Sequence, residues 1–142
     1  MIVRVDNITE EIYQSFQRLI PQLTGNVPPP TWAELEALVA FEGSILLVAR
    51  LAVDGPIVGT ATLSLVRAPT GVHARLEDVV VDEAVRGQGV GAALTDEVIR
   101  LAREAGANYL ALTSNPRRES ANRLYQKLGF KRWETNVYRL DL

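Results

Sequence analysis

The stretch VVVDEAVRGQGVGAAL, Val79 to Leu94, decides how the chain is read. Three valines without polar alternation read as the end of a strand covered on both faces. From Val90 onward, Val90, Leu94, Val98, Leu101 and Ala105 recur at helical spacing and predict a helix with one buried face. Gly87, Gly89 and Gly91 lie between strand and helix at alternate positions. A helix that opens on such a turn presents amides with no intrahelical partner, and the helix dipole adds partial positive charge. Backbone alone can therefore hold an anion there, and glycine lets it approach closely. Arg86 puts a full charge at the lip of the turn.

Two common anion loops do not fit this context. Gly87, Gly89 and Ala92 satisfy the loose dinucleotide fingerprint GxGxxA. That fingerprint follows its strand directly, whereas DEAVR intervenes here. No acidic residue ends the next strand to bind a ribose, and roughly fifty remaining residues are too few for the rest of a doubly wound sheet. A nucleotidase phosphate loop fails as well, because no lysine and hydroxyl residue follow the last glycine.

Outward from the turn, the elements alternate. MIVRV predicts an opening strand, and Ile12, Phe16, Leu19, Ile20 and Leu23 predict a helix. After the loop GNVPPP, Thr31 and Glu34 form a capping-box pattern that starts a second helix. SILLVARL and IVGTATLSLV read as strands joined by a hairpin whose turn chemistry is Asp54 and Gly55. VHARLEDVVV is the third strand, and NYLALTS is a strand beyond the glycine helix. Asn115 before Pro116 predicts a last helix with Ala121, Leu124, Tyr125 and Leu128 on one face, stopping at Gly129. FKRWE and NVYRLDL close the chain as two short strands.

Composition narrows the chemistry. The 142 residues suit one domain of ordinary length. With no cysteine and one histidine, His73, cysteine nucleophiles, zinc clusters and disulfide frameworks are excluded. His73 reads as a surface strand residue. No basic region precedes an apolar core at the N-terminus, and no run approaches about 18 apolar residues. The expectation is a soluble, cytoplasmic protein with no membrane partner. Formal net charge is −2, but residues 1–60 carry three basic and seven acidic side chains, against twelve and ten in residues 61–142. That gradient is too small for general nucleic-acid binding.

A second segment, ANRLYQKLGF, Ala121 to Phe130, joins the glycine turn in one pattern. Together they resemble the GNAT N-acetyltransferases. RGQGVG matches that family's pyrophosphate-binding signature at Arg86, Gly89 and Gly91, and ANRLYQKLGF matches its second signature. The likeness is strongest over residues 72–130. It implies an α/β fold, a single acetyltransferase domain over residues 1–142, with a central mixed, mostly antiparallel sheet and helices on both faces.

The resemblance also implies acetyl-CoA as co-substrate, no metal, and direct attack by a primary amine on the thioester, so that no protein nucleophile is needed. The acceptor is a small-molecule or peptide amine, and a homodimer is left open. The alternative is a module of the same fold that senses CoA without turnover. The implied cofactor contacts are the backbone of Val79, Val80 and Val81, the turn Arg86, Gly87, Gln88, Gly89, Val90 and Gly91, and Asn122. Arg118 departs from the pattern, since many members carry asparagine seven residues before the tyrosine, and Asn122 is the candidate for that contact. Tyr125 is expected to protonate the departing thiolate, its unperturbed pKa of about 10 keeping it a donor at neutral pH. Glu77 and Asp78, adjacent and so on opposite faces of an ideal strand, are the candidates for general base. Glu77 is favoured, although a strand bulge of the kind the family often carries would reverse that parity. Glu34, Glu36 and Glu42 on the N-terminal side favour a cationic acceptor. The basic residues Arg117, Arg118, Arg123, Lys127, Lys131 and Arg132 give residues 115–132 a local +5, where a CoA phosphate can be met.

Overall fold

The opening strand β1 (Ile2–Arg4) is followed by the first helix, α1 (Glu10–Leu23), whose N-cap is Thr9. Its hydroxyl accepts from the Ile12 amide at 3.3 Å, satisfying one of the helix's orphan donors. The second helix, α2 (Trp32–Ala40), has the capping box that its sequence predicts. The Glu34 amide donates to Thr31 Oγ1 at 3.1 Å, and the Thr31 amide donates to Glu34 Oε2 at 3.0 Å. The computed structural model describes residues 1–142, which divide into two compact units, Met1–Leu112 and Thr113–Leu142.

The first unit holds one five-stranded sheet. After β1 come β2 (Ser44–Arg50), β3 (Ile57–Ala68), β4 (Gly71–Val81) and β5 (Leu110–Ala111), adjacent in that order. The first three pairs are antiparallel and β4–β5 is parallel. Antiparallel neighbours need only tight turns, such as that at Asp54 and Gly55, where the Gly55 amide donates to Ala52 O at 3.0 Å. The parallel pair needs a crossover, which is α3 (Val90–Glu104). The sheet is thus mixed and mostly antiparallel, as expected.

Alternation sends the two faces of β2 to two layers. Leu46 and Val48 join Phe16, Leu19 and Leu35 in the core under α1 and α2. Leu47, fully buried between them in sequence, points to the other face, and α3 packs across β3 and β4. Gly59 shows how closely it packs: a Cβ there would stand 3.0 Å from Val90 Cγ1, 3.1 Å from Leu94 Cδ1 and 3.1 Å from Val80 O. The helix buries Val90, Leu94, Thr95, Val98 and Ala102, so its inner stripe passes through Ala102 rather than the expected Leu101 and Ala105.

β5 spans two residues, where NYLALTS predicts a longer strand. Its ladder with β4 has two rungs, Ala74 with Leu110 and Arg75 with Ala111, and stops there while β4 runs on to Val81.

In the second unit the last helix, α4 (Glu119–Lys127), starts later than Pro116 suggests. Asn115 closes a turn instead of capping a helix. Its Oδ1 accepts from the Arg117 amide at 2.9 Å and its carbonyl from the Arg118 amide at 3.0 Å. Gly129, at φ +98°, terminates the helix as predicted. The two closing strands are absent: residues 130–142 hold no strand, and Trp133 and Tyr138 are 79% and 88% exposed. Alternating side chains mark the faces a strand would have, but only a partner's backbone makes it one.

Candidate active site

The chemistry-bearing groups of the first unit collect around an irregularity in β4. Opposite β3, Thr60 pairs with Val80 but Thr62 pairs with Glu77, so two residues of β4, Asp78 and Val79, face the single residue Ala61. This is a β-bulge. Asp78 carries the extra step with φ +49°, the only residue other than glycine at positive φ. The bulge reverses side-chain parity: Leu76 stands opposite Leu63, while Val80, of the same parity, joins the core under α1 and α2.

Beside the bulge lies a cleft of about 230 Å³. Phe16 and Ile20 of α1 and Leu35 and Leu38 of α2 form its apolar wall, Val27 and the prolines 28 and 30 come from the connecting loop, and Thr60 and Thr62 form the floor. Asp78 and Glu34 are its two charged residues. Asp78 is open to solvent at the rim. The packed cleft behind it still pushes its carboxyl above the ordinary value, and the neighbouring charge of Glu77 acts in the same direction. Glu77 stands opposite Thr62, on the same sheet face, but does not line the cleft; its Oε1 accepts from Arg75 Nε at 2.8 Å. The bulge thus releases the two carboxylates from the opposite faces of an ideal strand. Glu36 accepts from Trp32 Nε1 at 2.8 Å and, like Glu42, is not part of the cleft.

The glycine turn follows directly. Asp82 ends β4 by accepting from the Ala84 amide at 3.1 Å, which closes one turn of 3-10 helix, Glu83–Val85. Two side chains of α1 pin this turn: Arg18 Nε donates to Asp82 Oδ2 at 3.3 Å, and Gln22 Oε1 accepts from the Glu83 amide at 2.9 Å. Arg86 is exposed and its Nε donates to Val81 O at 3.3 Å. Gly87 and Gly89 both have φ +82°, and a Cβ on either would meet nothing within 4 Å. Gly89 is the N-cap of α3 and caps it without a side-chain bond, so the first amides of the helix are left without a side-chain acceptor from the cap. Gln88 is exposed beside them, whereas Val90 is buried and anchors the helix.

In the second unit, Tyr125 is 7% exposed on the inner face of α4, with the Phe130 ring edge-on at 5.8 Å. Burial raises the pKa of its phenol, and Arg118 offsets part of that rise. The hydroxyl therefore stays protonated through neutral pH. Asn122 Nδ2 donates to Asn115 O and Arg118 O, both at 3.0 Å, so its amide nitrogen braces the turn that leads into the helix.

A sequence profile described as the acetyltransferase (GNAT) family matches residues 9–130. The chain belongs to the GNAT acetyltransferases. Glucosamine 6-phosphate N-acetyltransferase of Trypanosoma brucei brucei is 32% identical to it over 95% of this chain and 92% of that protein. A Trypanosoma brucei acetyltransferase crystal structure superposes with a TM-score of 0.79 at 30% identity, covering 100% of this chain and 99% of that one. The fold extends to a ribosomal-protein-alanine N-acetyltransferase from Brucella melitensis, with a TM-score of 0.74 at 24% identity over 99% of both chains.

Sequence reasoning about this GNAT acyltransferase singled out the glycine turn and the pair Glu77–Asp78, but favoured Glu77, which does not line the cleft. It did not foresee the partner of His73, whose ring stacks on Tyr109 of the next segment at 4.7 Å. The bulge itself makes a checkable demand, because a β-branched residue at φ +49° is strained while glycine is not. Asp78→Val should therefore be less stable than Asp78→Gly by about 1–2 kcal/mol in urea unfolding. Equal stabilities would show that the residue does not hold the left-handed conformation in solution.

Proposed function

We propose that this acyltransferase moves an acetyl group from acetyl-CoA directly to a primary amine, in the cytoplasm. The observation that carries the proposal is the turn at Arg86–Gly91: left-handed Gly87 and Gly89, open space where their side chains would be, and a helix N-terminus capped by no side chain. A pyrophosphate suits that cradle, held by backbone amides and the helix dipole with Arg86 at the lip. Gln88, Val90 and Gly91 contribute their amides. When bound, acetyl-CoA supplies the activated acyl thioester.

The chain's own groups then have separate tasks. The backbone of Val79, Val80 and Val81 orients the thioester arm, and an amide of that segment donates to the carbonyl oxygen as negative charge develops there. Asp78 takes the proton from the acceptor, since its carboxylate stands in the cleft and its pKa is raised above the ordinary carboxylate value by burial and by Glu77. Glu77, tied to Arg75, assists through its charge. Tyr125 gives its phenolic proton to the departing thiolate. Asn122, through its side-chain oxygen, and the basic residues near it are candidates for contacts with the rest of CoA.

Acceptor identity is the finer matter. The trypanosomal relative's name makes glucosamine 6-phosphate the first acceptor to assay.

Three variants test these roles. Gly89→Val should abolish measurable CoA binding in calorimetry while the protein remains folded by circular dichroism, because the branched side chain enters the anion's space and cannot hold φ +82°. Unchanged CoA affinity would remove the pyrophosphate assignment. Asp78→Asn should lower kcat by roughly 10² to 10⁴. In the parent, kcat should fall as pH drops through the Asp78 pKa, since protonation removes the base. Because that pKa is raised, this acid limb should lie above the ordinary carboxylate value of 3.8. The limb should vanish in Asp78→Asn, and its persistence there would assign the base elsewhere. Tyr125→Phe keeps the ring packed and removes only the donor. It should cost roughly 10²-fold in kcat with little change in the Michaelis constant for acetyl-CoA. Full activity in a folded variant would leave Tyr125 as a packing residue.

A further inference from the structure

The cleft beside Asp78 has a chemistry of its own. Its walls are apolar side chains from α1, α2 and their connecting loop, and both of its charged residues, Glu34 and Asp78, are acidic. None of its eleven lining residues is basic. Thr60 is already engaged, its hydroxyl donating to Leu47 O at 2.8 Å. One oxygen of Glu34 is taken by the Thr31 amide, which fixes that carboxylate at the start of α2.

Three classes of acceptor can be weighed against this surface. A phosphorylated amino sugar brings a dianion that would find two carboxylates and no cation, and hydroxyls that would face hydrocarbon. Each buried hydroxyl left without a partner costs about 1–3 kcal/mol. A polyamine brings the right charge but would set further ammonium groups against the apolar wall. A single ammonium on an apolar body places its charge at the carboxylates and its carbon skeleton on Phe16, Ile20, Leu35 and Leu38. At about 230 Å³ the cleft is smaller than the roughly 300–1,000 Å³ of drug-sized sites, so it takes a small amine or the end of a larger one.

We propose that the cleft between α1, α2 and the β4 bulge selects a small primary ammonium carried on an apolar body, and discriminates against sugar phosphates. This rests on the transferase reading for its consequence but not for its binding. The aryl or branched alkyl group fills the apolar end while the ammonium sits at Asp78, the group that relieves it of a proton before attack.

The test uses the full chain, with 2-phenylethylamine and glucosamine 6-phosphate as probes. Calorimetry reads binding, and release of free thiol from acetyl-CoA reads turnover. Val27 is 59% exposed in the loop at the cleft, so Val27→Arg adds a cation without disturbing the core, and Val53→Arg, at the exposed Asp54–Gly55 turn and outside the cleft, is the control. 2-Phenylethylamine should bind and should have at least tenfold the kcat/KM of glucosamine 6-phosphate. Val27→Arg should weaken 2-phenylethylamine binding by about fivefold or more, the scale of one like-charge contact near water, while Val53→Arg should not. Failure of 2-phenylethylamine to bind, or a preference for glucosamine 6-phosphate in turnover, overturns the inference and leaves the transferase reading standing. Binding that responds to Val27→Arg, with no thiol release from either amine, supports the cleft assignment and counts against the transferase reading.

Discussion

β4 has to serve two layers with one strand, and the slip at Asp78 is what makes that possible. Leu76 belongs opposite Leu63, whereas Val80 belongs with the core under α1 and α2. Both numbers are even, so a regular strand would send both side chains to one face. One extra residue resolves the conflict. A non-glycine residue in the left-handed region costs about 1–2 kcal/mol, while burying a valine such as Val80, 3% exposed, gains about 1.5–3 kcal/mol. The core wins narrowly, and aspartate lowers the cost because its short polar side chain tolerates that conformation. A carboxylate consequently sits where the strand bends, with the Val79–Val81 backbone beside it.

The same region depends on how closely α3 meets the sheet. Gly59 lets Val90 and Leu94 come to within contact of the β3 backbone, and that approach fixes the first turn of the helix. Upstream, Arg18 and Gln22 of α1 hold Asp82 and Glu83. Arg18 and Asp82 are partly exposed, so their ion pair adds little to stability. Its value is positional. With the strand end held by α1 and the helix start seated on Gly59, the glycines between them have both ends anchored. Their left-handed angles then follow from the chain having to turn there, and on the proposed reading this preorganises the turn for an anion.

How much of this could be read from residues alone depends on how far each feature's cause lies along the chain. The capping box at Thr31 and Glu34, the Asp54–Gly55 turn and the helix end at Gly129 are decided within a few residues, and all were legible. The glycine turn was legible for the same reason. The bulge was offered by the family resemblance and not by the residues themselves, because the conformation of Asp78 answers to Thr60 and Thr62 across the ladder and to the demands of two cores. The adjacent pair Glu77–Asp78 could be singled out, but which of the two lines the cleft could not. Asn115–Pro116 imitates a helix start and proves to be a turn, since an Asn side chain serves either purpose. The closing segments alternate like strands, yet nothing local supplies the partner that a strand needs.

On the proposed reading, the raised pKa values of Asp78 and Tyr125 share their largest cause and have two uses. Burial disfavours the charged form of any acid. For a carboxylate that begins far below neutral pH, an upward shift makes a better base. For a phenol that begins near 10, the same shift keeps the proton in place until a stronger base forms beside it. A thiolate leaving group is such a base at the moment of departure. The chain therefore needs no histidine at its centre and no nucleophile of its own. One histidine, stacked on Tyr109 and hydrogen-bonded to Thr70, and no cysteine are what such a division of labour permits.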